Sequence, residues 1–153
     1  MLFLTHLAFA LAIGSIMKFP LKTTAIAGVV ADADTIFFAT GFGFPLIHRG
    51  IFHTPVFLGL AMIAIYFATR RTDICAGFGA GFLSHLFLDT INPTGIMWLY
   101  PFTTMFLTMN IATYSNPVAN WGIVFWSIVF ILAFNPKTIG KIPEKFRLTG
   151  GLK

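Results

Sequence analysis

The chain is expected to fold as an all-α integral membrane protein, a bundle of about four to five transmembrane helices with an interfacial or re-entrant segment. Three observations carry that expectation. Hydrophobic residues make up 57% of the 153 positions and charged residues only 10%, against about 25% charged in soluble domains. Apolar runs close to bilayer length recur along the chain, and Lys and Arg gather between alternate runs. A chain this poor in polar groups cannot coat a water-soluble globule. The same figures exclude a disordered or collagen-like chain, and one cysteine, Cys75, excludes an internal disulfide and a Cys-rich zinc finger. The net charge of +5 forms no basic face, so no nucleic-acid partner is expected.

A bilayer core takes about 17–25 apolar residues per helix. Residues 2–17 form the first run, closed by Lys18 and Lys22. A secretory leader carries its basic charge before the apolar stretch, and here the charge follows it, so the run reads as a span. The second run, residues 23–40, is interrupted by Asp32 and Asp34. The third, residues 54–69, ends at Arg70 and Arg71, and the fourth, residues 74–91, contains His85 and Asp89. Residues 92–116 are rich in Pro, Gly, Thr and aromatics. Pro93, Gly95 and Pro101 would interrupt a straight helix, and Trp98 and Tyr100 suit the headgroup level, so this stretch reads as the interfacial or re-entrant segment. The last run is residues 117–134. Residues 1–134 are thus one transmembrane domain, and 135–153 a basic cytoplasmic tail with Lys137, Lys141, Lys145, Arg147 and Lys153.

Lys and Arg set the orientation. Lys18 with Lys22, Arg70 with Arg71, and the tail all fall on one side of a five-span chain, which is therefore cytoplasmic. The N-terminus, the loop at residues 41–53 and residues 92–116 fall outside, with Arg49 as their single basic residue. The expected location is the cell's inner membrane, N-terminus out and C-terminus in.

Against that frame, seven ionisable residues stand out: His6, Asp32, Asp34, His48, His53, His85 and Asp89. An ionisable group at membrane depth costs on the order of 2.5–3.5 kcal/mol on the mildest scale, so it normally marks function. Lys and Arg alone fixed the orientation, yet all seven fall at the outer face. His85 and Asp89 are four apart and share a helix face. Asp32 and Asp34 would diverge by about 200° on a regular helix. Either the helix breaks there, or one carboxylate binds metal while the other orients a histidine. Mixed imidazole and carboxylate donors suit zinc, manganese, iron or nickel better than calcium.

Each residue also has a plain reading. His6 alone suits a satisfied core histidine, and Asp32 with Asp34 a proton relay or sodium site. His85 with Asp89 suits a helix-stabilising pair, His48 and His53 a wet loop, and Arg49 an interfacial side chain. Four separate segments would have to share that coincidence, so a common metal centre is the preferred expectation.

These residues lie in a recognisable order: Thr5-His6, Asp32-Ala33-Asp34, His48-Arg49-Gly50-Ile51-Phe52-His53-Thr54, Ser84-His85-Leu86-Phe87-Leu88-Asp89, Pro93-Thr94-Gly95 and Tyr100-Pro101. In them the chain resembles the YdjM-like family of membrane-bound, metal-dependent hydrolases, also described as LexA-binding inner-membrane proteins. The likeness covers roughly residues 5–101. It departs from the family's Pro-Asp-Ile-Asp-His pattern at Ala31, Ala33 and Thr35, the last removing one ligand type, and carries Thr54 where Ser is usual.

The resemblance implies a metal-dependent membrane hydrolase. The expected substrate is an ester, foremost a phosphoester, of a lipid or lipid-linked compound, attacked by water whose pKa a bound cation lowers towards about 7. His53, His85 and Asp89 are the first choices as ligands, with His6, His48 and Asp32 or Asp34 completing the site. One or two divalent ions fit that number of donors, zinc first, manganese or iron as alternatives. Asp34 and Asp89 are the candidate catalytic carboxylates, and Arg49, with its planar fork, the candidate oxyanion clamp. Ser84, Thr54 and Thr90 are candidate supporting donors; a covalent Ser is disfavoured by the lack of a Gly-x-Ser-x-Gly elbow. The expected partners are membrane lipids or a lipid-linked substrate, and a homo-oligomer is compatible with the chain. The rival readings are a metal-ion or proton transporter, and a regulatory membrane protein with a structural metal site.

Overall fold

The structure, a computed structural model, describes residues 1–35 and 48–135. Residues 36–47, which include the end of the second apolar run and much of the expected outer loop, lie outside the described residues. So does all but the first residue of the basic tail.

Among the described residues five α-helices make up the frame, with no strand: α1 (Phe3–Met17), α2 (Leu21–Val30), α3 (Pro55–Thr69), α4 (Thr72–Ile91) and α5 (Pro117–Phe134). Two of them, α4 and α5, are long and apolar enough to cross a membrane, at 20 and 18 residues. The other two apolar helices, α1 and α3, are shorter, at 15 residues each. The second run does not continue as one helix. It passes at Ala31–Asp34 into a single turn of 3₁₀ helix, which is where its two carboxylates sit.

Local sequence explains the ends. Thr54 Oγ1 accepts from Phe57 N at 3.1 Å and caps α3, and Asn116 Oδ1 accepts from Ala119 N at 3.1 Å and caps α5. Each cap is followed by a proline at the first helical position, which has no N–H to leave unpaired. At the other end, α1 and α3 stop on Lys18 (φ 57°) and Arg70 (φ 55°) in the left-handed region. A cation beside the last carbonyls of a helix is favoured by its dipole. Both reversals are tight, so α1 runs into α2 and α3 into α4 as antiparallel neighbours.

The centre of the bundle is α4, which packs on α2, α1 and α3, while α5 packs on α1. Backbone approach there depends on two glycines. A Cβ at Gly81 would lie 2.2 Å from Thr24 O, and one at Gly28 would lie 2.3 Å from Ala10 Cβ. The apolar core of Ala27, Ala31, Leu58, Phe78, Phe82, Leu86 and Ile96 fills the space between α2, α3 and α4. Polarity is inverted relative to a soluble bundle: Leu60, Ile63 and Phe67 of α3 and Val118, Trp121 and Phe125 of α5 are exposed, whereas Thr5, His6, Thr24, His85 and Asp89 are buried.

Residues 92–116 contain no helix and fold back over the C-terminal end of α4. Ile96 and Leu107 exchange backbone hydrogen bonds at 3.1 and 2.9 Å, and Met109 N and Ile111 N donate to Thr90 O and Ile91 O. The last carbonyls of α4 therefore find partners in the connection itself.

Candidate metal centre

Three elements bring ligand atoms to one point at this end of the bundle. The 3₁₀ turn after α2 supplies Asp32, the 3₁₀ turn Ile51–His53 before α3 supplies His53, and the last turns of α4 supply His85 and Asp89. One ligand atom from each of these four lies within 4.8 Å of the others. His53 Nε2 is 3.1 Å from His85 Nε2, and each nitrogen is 3.6 Å from Asp32 Oδ1. Asp89 Oδ2 is 3.6 Å from His53 Nε2 and 3.5 Å from His85 Nε2. A tetrahedron with metal–ligand bonds of about 2.1 Å has edges of about 3.4 Å. The donor set therefore fits one four-coordinate divalent ion in both chemistry and spacing.

The remaining ring nitrogens fix the orientation of the pair. His85 Nδ1 lies 2.9 Å from Gly28 O. A carbonyl only accepts, so this nitrogen carries the proton and Nε2 presents its lone pair to the cluster. His53 Nδ1 lies 2.9 Å from Asp34 Oδ2, so its Nε2 is turned the same way. Two lone pairs 3.1 Å apart repel unless a positive charge lies between them. Without a metal that charge is a proton. Burial pushes His53 down, but Asp32 and Asp34 on its two nitrogens, with Asp89 beside it, outweigh burial and raise it to about 9.

The His53 ring is thus sandwiched by the acidic pair: Asp32 Oδ1 approaches Nε2 and Asp34 Oδ2 approaches Nδ1. Divergence of the two carboxylates is what lets them reach opposite edges of one imidazole. Asp34 also accepts from the backbone N–H of Arg49 at 3.2 Å, and its Oδ1 lies 2.8 Å from His48 Nδ1. Asp34, His48 and His53 form a second group with mutual ligand spacing.

His6 stands behind Asp89. Its Nε2 is 3.3 Å from Asp89 Oδ1, and its ring stacks on His85 at 3.9 Å between centroids. Arg49, buried and in the left-handed region at φ 68°, sends its guanidinium to the same oxygen: NH2 donates to Asp89 Oδ1 at 3.2 Å. NH1 donates to Gly95 O at 3.0 Å and to Thr94 Oγ1. All seven singled-out residues, together with Arg49, therefore belong to one connected polar network. Asp32, His53, His85 and Asp89 share the four-atom cluster, while His6, Asp34, His48 and Arg49 surround it.

The three hydroxyls proposed as supporting donors have other partners. Thr54 Oγ1 bonds Ile51 O and caps α3, Ser84 Oγ bonds Gly81 O, and Thr90 Oγ1 bonds Leu86 O and accepts from Trp98 Nε1. Sequence reasoning assigned no role to Thr94, to the carbonyls of Gly28 and Gly95, or to Asn92, whose Oδ1 accepts from Thr94 Oγ1 at 3.0 Å. Pro93-Thr94-Gly95 in the motif series was the available signal for Thr94. Backbone carbonyls leave none.

Beside the network lies a cleft of about 510 Å³ lined by Met1, His48, Arg49, Thr94, Phe106 and Tyr114. Of its polar lining side chains, His48 touches Asp34, Arg49 touches Asp89 and Thr94 accepts from Arg49, and two of its lining residues, Phe106 and Tyr114, are aromatic.

No curated protein and no solved structure matches the chain. The family model described as YdjM inner membrane protein matches residues 1–148, so nearly the whole chain, including every residue of the cluster, lies within the match. The chain belongs to the YdjM inner membrane protein family.

Proposed function

We propose that the protein is a membrane-embedded, metal-dependent hydrolase of ester or phosphoester bonds, acting at the extracytoplasmic face on a lipid or lipid-linked substrate. The observation that carries this reading is the facing pair His53 Nε2 and His85 Nε2 at 3.1 Å, flanked by Asp32 and Asp89. These four would hold the ion, zinc by donor chemistry, with manganese or iron as alternatives. A divalent ion there supplies Lewis acidity towards a carbonyl or phosphoryl oxygen and an acidified water as nucleophile.

The chain's own groups do the positioning. Gly28 O and Asp34 hold the two imidazoles with Nε2 inward. Arg49 and His6 hold Asp89 Oδ1, which leaves Oδ2 to the cluster. His48 lines the cleft with Nδ1 on Asp34 Oδ1 at 2.8 Å, the arrangement of an imidazole oriented by a carboxylate to carry a proton. In this reading Asp34 acts through His48 and His53, and Arg49 presents its charge to an oxyanion in the cleft.

Charge placement supports the membrane arrangement. Lys18, Lys22, Arg70 and Arg71 lie at the tight reversals, at the far ends of α1 and α3 from the cluster. By the positive-inside rule that end is cytoplasmic, the N-terminus and cluster are outside, and the basic tail is inside. The five helices then give four to five crossings, with α4 and α5 of full length.

A second reading, a regulatory protein with a structural metal site, is favoured by one observation. The cluster already offers four protein ligand atoms, as closed structural zinc sites do. One experiment separates the two: metal content of purified wild type and of the His85→Ala, Asp89→Ala double variant, with headgroup release from phospholipid liposomes measured on both. Metal-dependent release by the wild type, abolished with the metal in the variant, is expected. Stoichiometric metal with no turnover of any lipid or soluble ester would favour the structural role. No metal in either protein would remove both readings.

A further inference from the structure

Residues 99–114 carry apolar side chains on an irregular backbone: Phe102 is 89% exposed and Ile111 69%, with Leu99, Met105 and Met109 also exposed. Such a stretch is unsuited to water because of its side chains. It is unsuited to the hydrocarbon centre because its irregular backbone would leave N–H and C=O groups unsatisfied there. The level that satisfies both is the interface, where apolar side chains dip into the leaflet and the backbone keeps water. Its position is set by the hydrogen bonds of Met109 and Ile111 to the end of α4, directly after Asp89.

This stretch is continuous with the lipid-facing surface of the bundle. It runs into α5, whose first turns expose Val118 and Trp121. It also lines the cleft: Phe106 and Tyr114 share that lining with Met1, His48, Arg49 and Thr94. A cleft lined by a cation, an imidazole and a hydroxyl together with two aromatic rings, the rings belonging to a stretch of exposed apolar side chains, matches an amphiphile with an anionic head and a hydrocarbon tail.

We infer that residues 99–114 form an interfacial lip that admits a bilayer phospholipid sideways from the leaflet. The phosphate of the headgroup lies against Arg49, His48 and Thr94, and one acyl chain lies along Phe106 and Tyr114. This deepens the hydrolase reading and rests on it for the fate of the headgroup, whereas capture of the chain requires no turnover.

The test uses the full chain in vesicles of phosphatidylethanolamine and phosphatidylglycerol, doped with a phosphatidylglycerol bearing a diazirine in one acyl chain. After irradiation, cross-linked residues are mapped by peptide mass. Adducts within residues 99–114, at Phe106 or Tyr114 among them, are expected. In Phe106→Asp they should fall several-fold while adducts on α5 at Val118 and Trp121 persist, which also shows that the variant is folded and inserted. Adducts confined to α5 and the other helices of the wild type would overturn the lip. Lip adducts in a protein that hydrolyses no lipid would sustain the lip and remove the hydrolase. Hydrolysis of vesicle lipid without lip adducts would do the reverse.

Discussion

His53 Nε2 and His85 Nε2 stand 3.1 Å apart, although they come from a turn before α3 and from the last turns of α4. Each ring's other nitrogen is turned to an oxygen, Asp34 Oδ2 or Gly28 O, so neither ring can rotate its lone pair away without losing a partner. The pair is a socket for one positive charge. Metal and proton compete for it, and several consequences follow from that competition and from the groups that hold the socket.

Asp34 holds His53 from behind. Replacing it by Ala frees His53 Nδ1, the His48 ring and the Arg49 backbone N–H together. Loss of such an outer partner weakens metal binding by about 10–100-fold. Titration of the purified variant with a zinc-competing chromophore should show that loss with the four cluster residues unchanged, and affinity equal to wild type would exclude Asp34 as the positioning carboxylate.

In the metal-free protein His53 is raised to about 9 from an ordinary value of 6.5. A raised folded-state value means that protonation stabilises the fold. That contribution is complete below pH 6.5 and is lost as pH rises through about 9. Metal affinity has the opposite sign: below about 9 the ion must displace the proton, so affinity should strengthen about tenfold per pH unit up to that value. Melting of the chelated protein and metal titrations across the same window check both slopes. A pH-independent affinity would rule out His53 as the proton's holder.

Arg49 reaches Asp89 with one terminal guanidinium nitrogen and both Thr94 and the Gly95 carbonyl with the other. A lysine keeps the charge but not the fork. Arg49→Lys should therefore lose hydrolysis and retain most of the fold, while Arg49→Ala leaves Asp89 Oδ1 short of a buried cation and destabilises by on the order of 3 kcal/mol. Denaturant unfolding in detergent, alongside the liposome assay, separates the two effects. Full activity in Arg49→Lys would mean that charge alone suffices.

Gly81 meets backbone, which cannot swing aside: the added Cβ of Gly81→Ala would be 2.2 Å from Thr24 O. Forcing α4 away from α2 should cost about 1–3 kcal/mol as overpacking. It should also weaken metal binding, because α4 carries His85 and Asp89 while the α2 side carries Gly28 and Asp32. An unchanged melting temperature would contradict the close contact between these helices.

Asp32 and Asp34 show where reading from sequence alone reached its limit. Their spacing posed a definite choice, a broken helix or a carboxylate used as second support, because a regular helix of 3.6 residues per turn cannot aim both at one point. The structure contains both features: a 3₁₀ turn, and an imidazole held between the two carboxylates. Nothing in the order of residues shows which oxygen meets which nitrogen.

Composition and the lengths of the apolar runs were enough for the helical class, the ordered His and Asp motifs for the family resemblance, and the placement of Lys18, Lys22, Arg70 and Arg71 for their distance from the seven buried or half-buried His and Asp residues. Those features are set by solvation: apolar residues seek lipid, and each unpaired charge near it is costly enough to leave a visible mark. Which four side chains meet, which others stand behind them, and how the connection after α4 closes the cleft were decided only in three dimensions. Ligand distances depend on how closely α2 approaches α4 through Gly81 and α1 through Gly28, and on carbonyls that every residue possesses. Such backbone oxygens acquire a role only when the fold brings an imidazole to them.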